Sequence, residues 1–360
     1  MMEFTYRFPV VKGLQANSEY YIAMVPLKTI SKLFPSDEEY VAPEYRAQRK
    51  LNTARIPTMC RYITENRNSY VFTALAASID GEYRFIPTAE NDHLGILEVS
   101  MDATLLINDG QHRKAAIIEA LKEDTSLQNE TISVVFYGDQ GLERSQQMFT
   151  DLNKHAVKTS NSIAELYDSR DQLAVITRRM IQNNPFLNTY TDKEKDILGK
   201  YSSSLFTLST FYNANKRIVR GYSSTEGIES FLDRYWNAVV RNVLPWQELV
   251  RREISKVELR EKYIVTQSVI IQVFGRLGHY FYTHETCCIE DYMRKFEGID
   301  WLRNASMWKL RTIREDGRMI NSEEAIVLTC NAIKTELGIP LDAMEIKKEQ
   351  ARSNKVNKHG

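Results

Sequence analysis

Neither sign of charge is in excess. The 360-residue chain carries 47 Lys plus Arg against 47 Asp plus Glu, so no overall field steers it toward nucleic acid, and any such surface has to be a local patch. Cysteine is scarce: Cys60, Cys287, Cys288 and Cys330, with no C-x-x-C pair. Neighbouring cysteines rarely bridge each other and no histidine cluster has zinc-finger spacing, so reduced thiols in a cytoplasm are expected rather than a disulfide framework or a zinc site. Long apolar runs are missing as well. Charge interrupts the most apolar windows within about a dozen residues. Residues 1–10 contain Glu3 and Arg7 instead of an apolar signal core, so neither a membrane span nor a secretory leader is expected. No G-x-x-x-x-G-K-[ST] loop and no G-x-G-x-x-G turn occurs, which excludes a P-loop nucleotide site. Without a nucleophile elbow, Ser-His-Asp catalysis cannot be argued. His279 and His284 stand five apart on an apolar stretch, poor metal spacing that points to structural roles.

What is present reads as two domains, because a chain of this length exceeds what one hydrophobic core usually organises. Residues 20–26 (YYIAMVP), 97–99, 104–108 and 131–137 (TISVVFY) read as strands, and 28–34 as a short helix. Residues 43–65 read as helix in two pieces, interrupted near Pro57. Asp80-Gly81 between 71–79 and 82–86 is the signature of a type I′ hairpin. A helix opens at Gly110, and another covers 142–153. Beyond residue 158 the period becomes helical, over 162–183, 202–215, 225–242, 246–262, 266–284 and 321–337. Ser162 with Glu165 and Asn321 with Glu324 fit capping boxes, while Pro185, and Gly338 with Pro340, act as stops. The expected class is α+β: a mixed-sheet domain over 1–158, an all-α domain over 159–346, and a polar, Lys-rich, disordered tail over 347–360.

Asp109-Gly110-Gln111-His112-Arg113 stands where the apolar run Leu105-Leu106-Ile107 hands over to a helix. Unpaired amides and the helix dipole attract anions at such a place, phosphate above all. Gly110 admits close approach to the backbone, and Arg113 adds a planar fork suited to phosphate oxygens. The same residues also fit a structural junction, with Asp109 as N-cap, Gly110 as turn residue and Arg113 paired to a carboxylate. Spacing alone leaves both open. Arg46, Arg49 and Lys50 can share one basic helical face ahead of Arg55, or form a solvated face. Asn153, within Asp151-Leu152-Asn153-Lys154-His155, is a ligand contact or a helix C-cap. Arg178, Arg179, Lys216, Arg217 and Arg220, near Tyr212 and Tyr222, suit nucleic-acid backbone and stacking contacts. Aromatics at helical spacing equally suit a core.

The pentapeptide matches the DGQHR signature. Together with Tyr6-Arg7-Phe8-Pro9, Tyr20-Tyr21-Ile22-Ala23-Met24, Arg46-Ala47-Gln48-Arg49 with Leu51-Asn52, Arg55-Ile56-Pro57 and Phe149-Thr150-Asp151-Leu152-Asn153, it resembles the DndB family, the DGQHR proteins of bacterial DNA phosphorothioate modification systems. The likeness is specific in the first domain and looser in the helical half, where SLFTLSTFY carries it. It implies a repressor of the modification operon that binds double-stranded promoter DNA, without locating the DNA-reading element; Arg178, Arg179, Lys216, Arg217 and Arg220 are the residues that the basic pattern offers for it. The DGQHR segment is similar to the phosphate-cradling element of the ParB and sulfiredoxin superfamily. That similarity implies a ParB/sulfiredoxin-like N-terminal domain holding a nucleoside triphosphate, ATP foremost, with Mg2+. Gly110, Gln111, Arg113, Arg49, Arg55 and Asn153 would bind the nucleotide, Asp109 and His112 would be catalytic, and Asp109 would also meet the metal. The chain departs from the ParB pattern in having no recognisable helix-turn-helix. A DNA-stimulated NTPase and a non-catalytic assembly subunit working with other phosphorothioation proteins are the rival readings. A homodimer would suit a two-fold operator.

Overall fold

The computed structural model describes residues 4–34, 53–138, 147, 159–199, 201–222, 227–284 and 288–359. Arg46, Arg49 and Lys50, and the stretch 151–155 with Asn153, lie outside the described residues. The chain divides into two compact units, Met1–Val157 and Lys158–Gly360.

The first unit is built on a seven-stranded mixed sheet. Strand β1 (Thr5–Gln15) turns into β2 (Ser18–Pro26) through Ala16 and Asn17, whose φ values of 49° and 60° give the left-handed pair that a tight hairpin requires. The other strands are β3 (Leu75–Asp80), β4 (Tyr83–Pro87), β5 (Leu94–Ser100), β6 (Thr104–Asp109) and β7 (Thr131–Gly138). Their order is β4-β5-β1-β2-β7-β3-β6, antiparallel throughout except for the β3–β7 pair. Alternate residues face inward, as the pleat demands: Phe8 and Val10, Tyr21 and Ala23, Leu97 and Val99, Val134 and Phe136 are buried. Helices α1 (Leu27–Leu33), α2 (Ile56–Glu65) and α3 (Gln111–Glu123) complete this core with Ile30, Ile63 and Ile117.

The Asp80-Gly81 corner is not the expected hairpin. It joins β3 to β4, yet β3 is sixth in the sheet and β4 is first. Both sides of β3 are taken by β7 and β6, and β4 pairs with β5. Residues 101–103 make a second short link, from β5 to β6 at the far edge. Two such short links across the sheet force it to coil until its ends approach, and Gly81 lies against Ala103. Pro57 does not interrupt a helix either. It stands in the first turn of α2, where a proline has no amide to lose.

The second unit is helical apart from the two-residue strands β8 (Thr191–Asp192) and β9 (Phe206–Thr207). The helix expected over 162–183 is two: α4 (Asn161–Tyr167), capped by Ser160 rather than Ser162, and α5 (Gln172–Asn183), capped by Asp171. Asp168 Oδ1 accepts from the amides of Arg170 and Asp171, an Asx turn that breaks the helix between them. Pro185 then opens α6 (Pro185–Tyr190). Next come α7 (Leu208–Ile218) and α8 (Ile228–Asn242). The stretch expected as one helix over 246–262 is α9 (Leu244–Val250) and α10 (Lys256–Lys262). Helix α11 (Ser268–Thr283) packs on α7 so closely that a Cβ on Gly275 would lie 2.8 Å from the Ala214 carbonyl oxygen. Trp236, Trp246, Trp301 and Trp308 are buried in the core around it. His279 Nδ1 bonds the Ile218 carbonyl at 2.7 Å and His284 Nδ1 the Tyr280 carbonyl at 2.8 Å, the structural roles expected of them. Short α12 (Ile289–Arg294) precedes α13 (Glu323–Leu337), which is capped by Ser322 rather than Asn321.

The expected disordered tail is instead part of helix α14 (Ala343–His359). Its polarity misleads because the helix is held by charges from other elements. Glu345, 1% exposed, accepts from Lys334 Nζ at 2.8 and 2.9 Å and from Arg276 at 2.9 Å, and Arg311 pairs with Glu349. No helix among the described residues is long and apolar enough to cross a membrane. Because removing one member of a buried ion pair strands the other, Glu345→Ala should cost about 3–5 kcal/mol. Urea denaturation followed by tryptophan fluorescence measures this, since the buried tryptophans all belong to the helical unit.

Candidate functional site

The junction forms where β6 ends. Leu105 and Ile107 point inward, and Asn108, 1% exposed, donates to Ser78 Oγ at 2.6 Å, tying β6 to β3. The β3–β6 register shifts between Ala76 and Ala77, with Asp109 opposite Ala76, and such an irregularity re-aims the strand end. Gly110 then adopts φ 103° and ψ 15° as N-cap of α3. A Cβ there would overlap Leu75 Cδ2, so both conformation and space require glycine. Helix α3 has no side-chain cap and no acidic residue in its first turn. Its first amides have no intrahelical partner and lie at the positive end of the dipole.

Arg113 does not reach outward from this junction. Nη1 donates to the Thr73 carbonyl at 2.8 Å, to Thr73 Oγ1 and to the Ala74 carbonyl at 2.6 Å, while Nη2 donates to Asp109 Oδ2. The Arg113 side chain is 15% exposed and that of Asp109 41%. The guanidinium is therefore a brace between β6, α3 and the segment entering β3. Gln111 and His112 are half-buried, and Arg55 is exposed on a 3-10 turn ahead of α2, not among the partners of Arg113 or Asp109. Among the described residues, no group of three or more His, Cys, Asp or Glu could hold a metal ion. Asp109, the junction's own carboxylate, already accepts from Arg113. The junction fits an anion through backbone amides, not through the arginine fork. Thr73 and Ala74 went unnoticed in the sequence because they stand some forty residues ahead of Arg113 and contribute carbonyls, which any residue has.

The basic residues of the helical unit separate into two sets. Arg178 donates to the carbonyls of Glu165 and Asp168, and Arg217 makes a two-pronged pair with Glu323 at 2.6 and 2.9 Å, so both are internal ties. Arg179 is exposed with Glu229 3.4 Å away, Lys216 is exposed beside the Tyr212 ring, and Arg220 is exposed just past α7. Tyr222 is 51% exposed nearby in sequence, in edge contact with Tyr282. Lys216 is in the last turn of α7, and Arg220 stands two residues beyond its end.

A two-unit α+β chain, with an uncapped strand-to-helix junction in the sheet unit and exposed cations on a helical unit, is the class these elements define. The chain belongs to the DndB family of DNA-sulfur modification-associated proteins, whose model matches residues 8–340. No curated protein and no solved structure matches it.

If Arg113 is a brace, Arg113→Ala should destabilise the first unit by about 1.5–3 kcal/mol, the worth of charge-assisted hydrogen bonds. Gly110→Ala should cost about 1–3 kcal/mol through backbone strain. Thermal denaturation of both variants checks this; wild-type stability in Arg113→Ala would show that the hydrogen bonds are idle. A pH effect follows from Glu165. Burial first, then the Asp196 and Asp171 carboxylates, push its carboxyl up to about 7. A raised acid favours the folded state fully below its unfolded value near 4.5, and that contribution is lost as pH rises through about 7. Melting temperature should therefore fall across that window, and Glu165→Gln should flatten the profile.

Proposed function

We propose that this chain is a DNA-binding regulator, a repressor of a DNA phosphorothioate modification operon, which contacts promoter duplex through its helical unit and takes a nucleoside triphosphate, ATP foremost and with Mg2+, at the start of α3. The family match over residues 8–340 carries this reading, because it ties nearly the whole chain to DNA sulfur modification. Arg179, Lys216 and Arg220 offer charge for phosphate contacts, and Tyr222, two residues after Arg220, offers an exposed ring. At the junction, the α3 amides would meet phosphate oxygens, and Arg113 would hold the loop through Thr73, Ala74 and Asp109. A bound triphosphate would supply the negative charge that an uncapped helix start can neutralise. Arg113 is thus a positioning residue, and His112 and Gln111 flank the phosphate position.

An electrophoretic shift assay tests the regulator. The protein should bind the operon's own promoter more tightly than random duplex. Replacing Lys216 and Arg220 together by Glu should weaken both complexes alike and reduce the salt slope by about one for each phosphate no longer neutralised. Equal affinity for promoter and random duplex overturns the repressor reading.

A further inference from the structure

Helix α14 begins beyond residue 340, where the family match ends, so that match does not account for its charge pattern. Its sequence carries five bases, Lys347, Lys348, Arg352, Lys355 and Lys358, against two acids, Glu345 and Glu349. Both acids are taken up inside the helical unit. Lys334 and Arg276 hold Glu345, while Arg311 and the Asn331 amide, at 3.1 Å, hold Glu349. A solvated helix face ordinarily mixes both signs. Among the described residues, no exposed position of α14 is acidic, and Lys347 is exposed. The helix dipole does not explain this either. Lys347 and Lys348 fall in the second turn, where the dipole gives a cation no advantage.

A second basic segment is tied to this helix. Arg352 Nη2 donates to the Lys309 carbonyl at 2.9 Å, and Arg311 Nη1 donates to the Leu328 carbonyl at 2.8 Å as well as to Glu349. These bonds hold residues 309–311 against α14. Lys348 stands one turn before Arg352 and so on the same side of the helix. Lys309, itself exposed, and Lys348 therefore border one edge, with Lys347 next to it. No carboxylate pairs with Lys309, Lys347 or Lys348 among the described residues. Farther along the loop the charge is balanced: Arg318 meets Asp316 at 3.7 Å, and Arg314 is followed by Glu315. The excess is thus confined to the edge where Lys309 meets α14.

We propose that Lys309, Lys347 and Lys348 form a surface for double-stranded DNA that grips backbone phosphates without reading bases. This inference rests on the DNA-binding reading above, though not on its promoter preference. Lysines without carboxylate partners complement the repeated negative charge of a duplex. A membrane fits less well. The large apolar side chains exposed on the described part of α14 are Met344 and Ile346, too few for a helix that lies in lipid.

Fluorescence anisotropy of the full chain with a labelled random-sequence duplex, repeated over a range of salt, tests this. The triple variant Lys309→Gln, Lys347→Gln, Lys348→Gln should bind about tenfold more weakly, and its salt slope should fall by about 0.9 for each phosphate no longer neutralised. Its melting temperature should stay at the wild-type value, because the Glu345 and Glu349 ties are untouched. A charge-matched control, Lys28→Gln, Lys32→Gln, Lys122→Gln, removes three exposed lysines from the first unit and should leave binding as it was. If the wild type binds no duplex, the DNA-binding reading fails and this surface with it. If the wild type binds but the triple variant binds equally well, this inference alone fails. Equal weakening in the control would trace the effect to net charge and overturn it too. So would loss of binding to phosphatidylserine vesicles with duplex affinity unchanged, which would assign the edge to a membrane.

Discussion

One guanidinium cannot serve two sets of oxygens. Arg113 is committed to the Thr73 and Ala74 carbonyls and to Asp109, and this commitment fixes the angle at which β6 passes into α3. Gly110 is bound up in the same arrangement, since Leu75 fills the space a side chain would need. The Asp109 carboxylate stands close to the helix start it helps to shape. It stabilises the positive end of the dipole and repels an incoming phosphate. A triphosphate at α3 therefore needs a cation between it and Asp109, or a shift of Arg113 away from its present acceptors. In the proposed reading, the arginine fork is already occupied, so only the amides of α3 would be left to meet an anion.

The α+β class and most elements were legible because alternation and helical period are local. Local signals failed where the deciding partner was distant. Asp80-Gly81 marks a turn truthfully, but nothing within it says that β3 is already paired on both sides. The actual tight hairpin uses Ala16-Asn17, which carries no glycine, and β1 itself went unread as a strand. Helices over 162–183 and 246–262 were merged because periodicity continues across the caps that break them. The tail looked too polar to fold, since Lys334, Arg276 and Arg311 supply its partners from elsewhere. At the site, the pentapeptide was legible as a strand-to-helix junction, while the carbonyls that occupy Arg113 were not. A cavity of about 470 Å3 in the helical unit, walled by the segment after β8, by β9 and the start of α7, by α10 and by the start of α11, was illegible for a related reason: separate stretches of ordinary residues build it.

Counting basic residues overstates the charge available to DNA. Arg178 and Arg217 looked like phosphate ligands, yet carbonyls hold the first and Glu323 the second. Arg276 and Arg311 are likewise paired to Glu345 and Glu349. These four arginines serve as ties within the helical unit. A duplex bound through Arg179, Lys216 and Arg220 alone would touch few phosphates. At roughly 0.9 in the salt slope for each phosphate neutralised, such a protein is less salt-sensitive than a strongly basic one. Under the proposed regulator reading, discrimination between sequences would come from shape or base-edge contacts rather than from charge.

Helix α7 runs from the cavity of the helical unit toward its exposed cations. Its first turn, with Thr207 and Thr210, lines the cavity, and its far end carries Lys216 with Arg220 just beyond. Eleven helical residues span about 16 Å, and Gly275 lets α11 pack along this rod at backbone distance. Rigidity alone does not make a switch, however. A ligand in the cavity shifts DNA affinity only if it binds two arrangements of α7 unequally, and the size of the shift is bounded by that difference. The cap at Thr207 and the carboxylate of Asp196 are the groups through which such a difference would act, because both hold the start of α7 and both line the cavity.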